Sequence, residues 1–275
     1  MISAVGALLR VSDLAWNWSD STGSVLVADS PLPETDDRVP IENPALYQAG
    51  KQLFLKAGAQ ILRAWSAEGI KLCKDIVPSA GFVCGVVGPS AKILAMQEIT
   101  AEELLDECKQ RVGRITEAKP DALLIQSISD VEEAVLCLKA ARETCKLKVG
   151  VSMTYGSGVE QAETVMGQGC EEVTRRLAGE GADLVGCDCG MAVDESVLIV
   201  RLMRQATQLP IAVFPDAGQR ELHDDKIVYV ETPQDFSSKA PSLVAAGANI
   251  IGGCCGVSPD HIACLAGVVG ECGAA

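Results

Sequence analysis

The sequence predicts an α/β protein built as a single (β/α)8 TIM barrel. Short apolar runs recur eight times, stretches of helical character separate them, and the eight repeats fill about 250 residues, the usual size of such a barrel. Near-continuous apolar strands fit a parallel sheet covered on both faces. A doubly wound open sheet is the alternative arrangement.

The strands are expected at residues 25–29, 60–65, 82–88, 122–127, 148–154, 183–188, 210–215 and 249–253. After the first, Asn43-Pro44 opens a helix over residues 44–57, with Asn43 as N-cap and Pro44 in the first helical position. Thr100-Ala101-Glu102-Glu103 is a capping box ahead of the helix that follows strand 3. Ser129-Asp130 opens the helix after strand 4, and Thr232-Pro233 and Ser258-Pro259 each place a cap before a proline. Ala57-Gly58 and Ala246-Gly247 close helices, because glycine tolerates the left-handed conformation there. No linker divides the chain, so residues 25–275 are one barrel domain. Residues 1–24 form an N-terminal extension, either a helix under the barrel floor or an arm anchored by Trp16 and Trp18.

Composition narrows the function. A net charge of -14 argues against nucleic acid and against anionic membrane surfaces, since both need a basic face. Hydrophobic residues make up 48% and aromatic residues 4%, so aliphatic side chains and alanine must fill the core. No apolar run is long enough for a transmembrane helix. The first 20 residues lack a secretory pattern, so the 12 cysteines are expected as free thiols in a reducing cytoplasm. Cys73, Cys108, Cys137, Cys145, Cys264 and Cys272 lie in or beside helices and read as structural or surface thiols; Cys84 sits within strand 3 and packs in the wall.

The stretch Gly252-Gly253-Cys254-Cys255-Gly256 closes strand 8. Adjacent side chains on a strand point to opposite faces, so two thiols that meet one partner need the strand to end and bend, which glycine permits. Such a pair suits zinc if further ligands arrive from elsewhere. Cys187 and Cys189 end strand 6, at the same mouth, so three or four thiols converge there. His223 reads as a solvated loop histidine, His261 as a structural helix-end group, and Tyr155 as a rim residue able to wall the pocket.

These segments resemble the homocysteine S-methyltransferase family, over residues 43–265. Residues 245–262 are similar to its closing zinc motif; Phe214-Pro215-Asp216-Ala217-Gly218 is similar to its loop after strand 7, Gly186-Cys187-Asp188-Cys189 to its zinc motif after strand 6, and Val87-Gly88-Pro89 to its turn after strand 3. The resemblance implies zinc held by Cys189, Cys254 and Cys255, a small-molecule thiol (homocysteine by family default) activated as thiolate, and a methyl donor. It implies a substrate-binding set of Asp29, Gln126, Ser127, Asp188 and Asp216. Several of these depart from the family pattern. The acid at Asp29 is followed by Ser30-Pro31 instead of two glycines. Gln126 stands where the family has a glutamate that grips the amino group of homocysteine. Asp188 and Asp216 replace asparagines. Two further readings stay open: the methyltransferase component of a corrinoid-dependent demethylase system, acting with a separate corrinoid protein, and a zinc-binding barrel without catalysis.

Overall fold

The computed structural model describes residues 25–28, 44–156, 162–223 and 226–272. Asp29, Asn43 and the extension before residue 25 lie outside the described residues.

The strands are β1 (Val25–Ala28), β2 (Ile61–Ala64), β3 (Phe82–Val87), β4 (Ala122–Ile128), β5 (Val149–Met153), β6 (Leu184–Asp188), β7 (Ile211–Phe214), β8 (Arg220–His223), β9 (Lys226–Tyr229) and β10 (Ile250–Gly252). The helices are α1 (Pro44–Lys56), α2 (Ala67–Ile76), α3 (Ala101–Glu117), α4 (Val131–Thr144), α5 (Cys170–Gly179), α6 (Val193–Ala206), α7 (Pro233–Ser238), α8 (Ala240–Ala246) and α9 (Pro259–Cys272), with a 3-10 turn at Leu94–Met96. Their starts follow local chemistry. Ser66 caps α2 by accepting the Gly69 N–H, and Asp130 caps α4 by accepting that of Glu132. Thr100 and Glu103 exchange both bonds of a capping box at α3.

The parallel strands run in the order β1-β10-β7-β6-β5-β4-β3-β2, with β1 between β10 and β2. Seven of them, β2 to β7 and β10, form one continuous run. The four-residue β1 meets β2 only at Val27 opposite Ile61 and Ala28 opposite Leu62.

The regular single (β/α)8 TIM barrel expected from the sequence, with one helix after each strand, needs correction. The fold is mixed α/β. After β7 the alternation stops: Gly218 turns the chain at φ +81, where a Cβ would come within 2.9 Å of the Glu231 backbone nitrogen. The chain then forms the antiparallel pair β8–β9, outside the parallel sheet, followed by two short helices instead of one. Residues 220–225, read as a loop, carry β8 because their pairing partner lies just downstream in residues 226–229.

Alternation along each strand divides two cores. Leu124, Leu184, Ala212, Phe214 and Ile250 pack on the inner face with Ile61, Cys84 and Cys254. Their outward neighbours, including Leu123, Ile125, Val151, Val185, Val213 and Ile251, pack against the helices. One expectation about cysteines is overturned. Cys108 and Cys137, read as free thiols, form a disulfide between α3 and α4, with Cα atoms 5.3 Å apart. The two helices lie side by side, and both residues face the seam fully buried. Among the described residues, no helix is long and apolar enough to cross a membrane.

Candidate metal centre

Strands β6, β7 and β10 are neighbours in the sheet, so their C-terminal ends meet. Backbone bonds tie the three following loops together. Cys189 N–H donates to Phe214 O at 3.2 Å, Cys254 N–H to Pro215 O at 2.8 Å, and Ala217 N–H to Cys255 O at 2.9 Å. Two local devices aim the thiols. Cys189 sits at φ +49, a left-handed conformation uncommon for a residue with a Cβ. Gly256 turns at φ +78 directly against Tyr229, whose ring leaves no room for a Cβ.

The result is a group of three sulfurs and one carboxylate. Cys189 Sγ lies 3.8 Å from Cys255 Sγ, and Cys254 Sγ lies 3.9 Å from Cys255 Sγ. With one oxygen of Asp216, these atoms all lie within 4.8 Å of one another. Zinc–sulfur bonds of about 2.3 Å in a tetrahedron place neighbouring sulfurs about 3.8 Å apart, so the spacing fits that metal. Cys187, the fourth thiol at the strand ends, is buried on the outward face among the helix-packing residues. The inner core also has an apolar cavity of about 60 Å³ toward the N-terminal strand ends, lined by Phe82, Cys84, Leu124 and Leu184. Cys189, Cys254 and Cys255 are not among its lining residues.

The electrostatics are uneven. The Cys189 and Cys254 thiols both lie within hydrogen-bonding distance of the Cys255 sulfur. With the Tyr229 hydroxyl and the charge of Arg220, they outweigh burial and hold the Cys255 thiol down at about 2. For Cys189, the Cys254 thiol acts downward, but its bond to Cys255 and its burial prevail and raise it to about 12. Cys254 is raised well above the usual thiol range by its bonds to Cys189 and Cys255 and by burial. Asp216 is pushed up to about 7 by burial and by the neighbouring Cys255 charge. Its Oδ2 accepts the Gly190 N–H at 3.0 Å and its Oδ1 accepts the Cys255 N–H at 3.1 Å. This carboxylate braces the loops beside two of the cysteines.

The sign of these shifts gives a test. At pH 8 the three linked thiols are expected to hold one thiolate between them, favoured at Cys255, and two protons. Zinc binds thiolates, so its uptake at pH 8 is expected to release two protons rather than three. Titration calorimetry in buffers of differing ionisation enthalpy measures the number.

Of the residues expected at the substrate end, Asp216 lies among the metal donors and Asp29 lies outside the described residues. The other three gather one layer below the cysteines. Asp188 is 1% exposed; its Oδ2 accepts the Ser127 N–H and its Oδ1 accepts the Thr154 hydroxyl, both at 2.9 Å. Burial raises the Asp188 carboxyl, opposed in part by these bonds and by the charge of Arg63. Ser127 is held at φ +60. Gln126 is fully buried, and its Oε1 accepts from Arg63 Nη1 at 2.8 Å.

Arg63 is the group that sequence reasoning missed. Fully buried, it donates through Nη2 to Gly253 O at 2.7 Å and lies 4.2 Å over the Phe214 ring. The signal was legible: Arg63 interrupts the apolar run Ile61-Leu62-Arg63-Ala64 at the position sharing a face with Ile61. Thr154, Arg220 and Tyr229 were also missed. Tyr155 packs in the outer core beside Cys170 and Cys187, away from the mouth. His261 accepts from Ser258 through Nδ1 and meets the Glu231 carbonyl through Nε2, a bracing position at the start of α9.

Residues 41–269 match the family model described as homocysteine S-methyltransferase. Methionine synthase of Mycobacterium leprae is 25% identical over 199 residues, which is 70% of this chain and 16% of that protein. The chain thus spans well under a fifth of that relative's length. Among solved structures, the apo form of the homocysteine methyltransferase MmuM from Escherichia coli superposes with a TM-score of 0.71 at 21% identity, covering 90% of this chain and 97% of that one. Its metallated form gives a TM-score of 0.70 at 20% identity, covering 90% and 96%. At that identity the likeness speaks for the fold.

Proposed function

The chain belongs to the homocysteine S-methyltransferase family, and on that premise we propose that it is a zinc-dependent methyltransferase whose methyl acceptor is a thiol, homocysteine being the first to test. The observation that carries this reading is the spacing of the Cys189, Cys254 and Cys255 sulfurs, which matches the edge of a zinc–thiolate tetrahedron. Cys189, Cys254 and Cys255 would hold the metal, with the Asp216 carboxylate within reach. Zinc bound there would keep a substrate thiol in its thiolate form at neutral pH, where a free thiol is mostly protonated.

The chain's own residues do the rest. Cys189, Cys254 and Cys255 supply soft, anionic donors, which leave electron density on a further sulfur. Asp216 locks two of the loops, so the thiolates need no rearrangement. Tyr229 and Arg220, from the hairpin, sit beside Cys255 and close one side. Asp188, Gln126 and Arg63 form a buried polar layer under the metal loops. In the reaction, the acceptor thiol gives up its proton to solvent and its sulfur attacks the donor methyl carbon. The new S–C bond forms as the bond from methyl to donor breaks, and that electron pair leaves with the donor. Alignment of the two reactants is the main contribution of the site.

The test is methyl transfer by the zinc-loaded protein, read as S-methylated product by mass spectrometry. S-methylmethionine, betaine, S-adenosylmethionine and a methylcorrinoid protein serve as donors. Methylated homocysteine from a small-molecule donor supports the reading. Transfer with the methylcorrinoid protein alone would make the chain a component of a corrinoid system. No transfer from any donor to any thiol would sink the proposal and favour a zinc-binding protein without catalysis.

A further inference from the structure

The layer beneath the cysteines fixes more than a metal pocket. A guanidinium only donates hydrogen bonds, so the atom of Gln126 that meets Arg63 Nη1 at 2.8 Å must be the amide oxygen. Arg63 is itself held in place by Gly253 O and the Phe214 face, so the amide cannot turn over without setting two donors against each other. That leaves Nε2 as the free end of Gln126. It is buried and has no hydrogen-bond partner. A buried amide N–H without a partner is costly, and a ligand acceptor would relieve that cost. An ammonium has no lone pair and cannot supply that acceptor.

Resting on the thiol-methyltransferase reading above, we propose that Gln126, oriented by Arg63, selects a thiol substrate through an oxyanion, a carboxylate or a sulfonate, rather than through an ammonium group. Arg63 acts as a positioning residue: it presents the donor end of Gln126 and adds positive charge beside it. Gly253, which accepts from Arg63, directly precedes Cys254, so the recognition layer and the metal loop are joined by one residue.

The experiment is titration calorimetry of four small thiols into the zinc-loaded protein: 3-mercaptopropionate, 2-mercaptoethanesulfonate, cysteamine and neutral 2-mercaptoethanol. One or both anionic thiols are expected to bind about tenfold tighter than mercaptoethanol, and cysteamine no tighter than mercaptoethanol. The two anions separate carboxylate from sulfonate recognition. Gln126→Glu should remove the anion preference and let cysteamine bind tighter than mercaptoethanol. Gln126→Leu should remove the anion preference without that gain. Zinc stoichiometry confirms that each variant retains the centre, and the wild-type panel decides alone if neither variant folds. Equal binding of all four thiols, or a tenfold preference for cysteamine, overturns the inference and leaves the methyltransferase reading standing. Binding of no thiol by zinc-loaded protein overturns both.

Discussion

Replacing Cys254 by alanine is expected to abolish metal binding, and Cys189→Ala and Cys255→Ala should do the same. Each removes one of three sulfurs whose separations define the centre. Losing a neighbour that only supports a ligand typically weakens metal affinity about 10–100-fold. Loss of a ligand should exceed that range. Cys264→Ala is the control: Cys264 lies on α9, within reach of Gln234, and takes no part in the cluster. Competition against a chromophoric chelator reads all four variants. Retention of near-native affinity by Cys254→Ala would contradict the ligand assignment.

The second large effect belongs to Arg63→Met. Methionine has similar length and packs well, but it strips the donors from Gln126 Oε1 and Gly253 O and removes the positive charge near Asp188. Removing Arg63 leaves two buried neutral acceptors, the Gln126 amide oxygen and the Gly253 carbonyl, without their donor, and each group orphaned in this way costs about 1–3 kcal/mol. The variant should lose that much stability in urea unfolding, a large part of the whole for a protein of this size. Arg63→Lys should recover only part of it, because a lysine ammonium cannot replace the planar fork that reaches Gln126 and Gly253 together. A loss below about 1 kcal/mol for Arg63→Met would mean that the network is not structural.

Much of the site could be read along the chain because its signals are local. The glycines around Cys254 and Cys255 mark a strand end that must bend, and Cys189 follows an apolar run with the same spacing as its neighbours. What could not be read locally was which groups share a layer. Asp216 reads as a substrate residue from its loop alone. Only the adjacency of β6, β7 and β10 shows its two oxygens accepting from Gly190 and Cys255. Gln126 reads as standing in for the family's glutamate, until Arg63, 63 residues earlier in the chain, takes its oxygen. The departure from uniform strand–helix alternation has the same origin. The stretch carrying β8 and β9 is too charged to look like strands, but residues 220–223 pair with residues 226–229 outside the parallel sheet. Cys108 and Cys137 were misread as free thiols because the helix seam that joins them is a tertiary feature, invisible to spacing.

The central claim is that Cys189, Cys254 and Cys255 together hold one metal ion that a substrate thiol then joins. X-ray absorption at the zinc edge tests it most directly, on the loaded protein before and after adding homocysteine. The account predicts three sulfur neighbours at about 2.3 Å in the resting protein and four after the thiol is added. Fewer than three sulfurs at rest, or a count unchanged by saturating thiol, would contradict it.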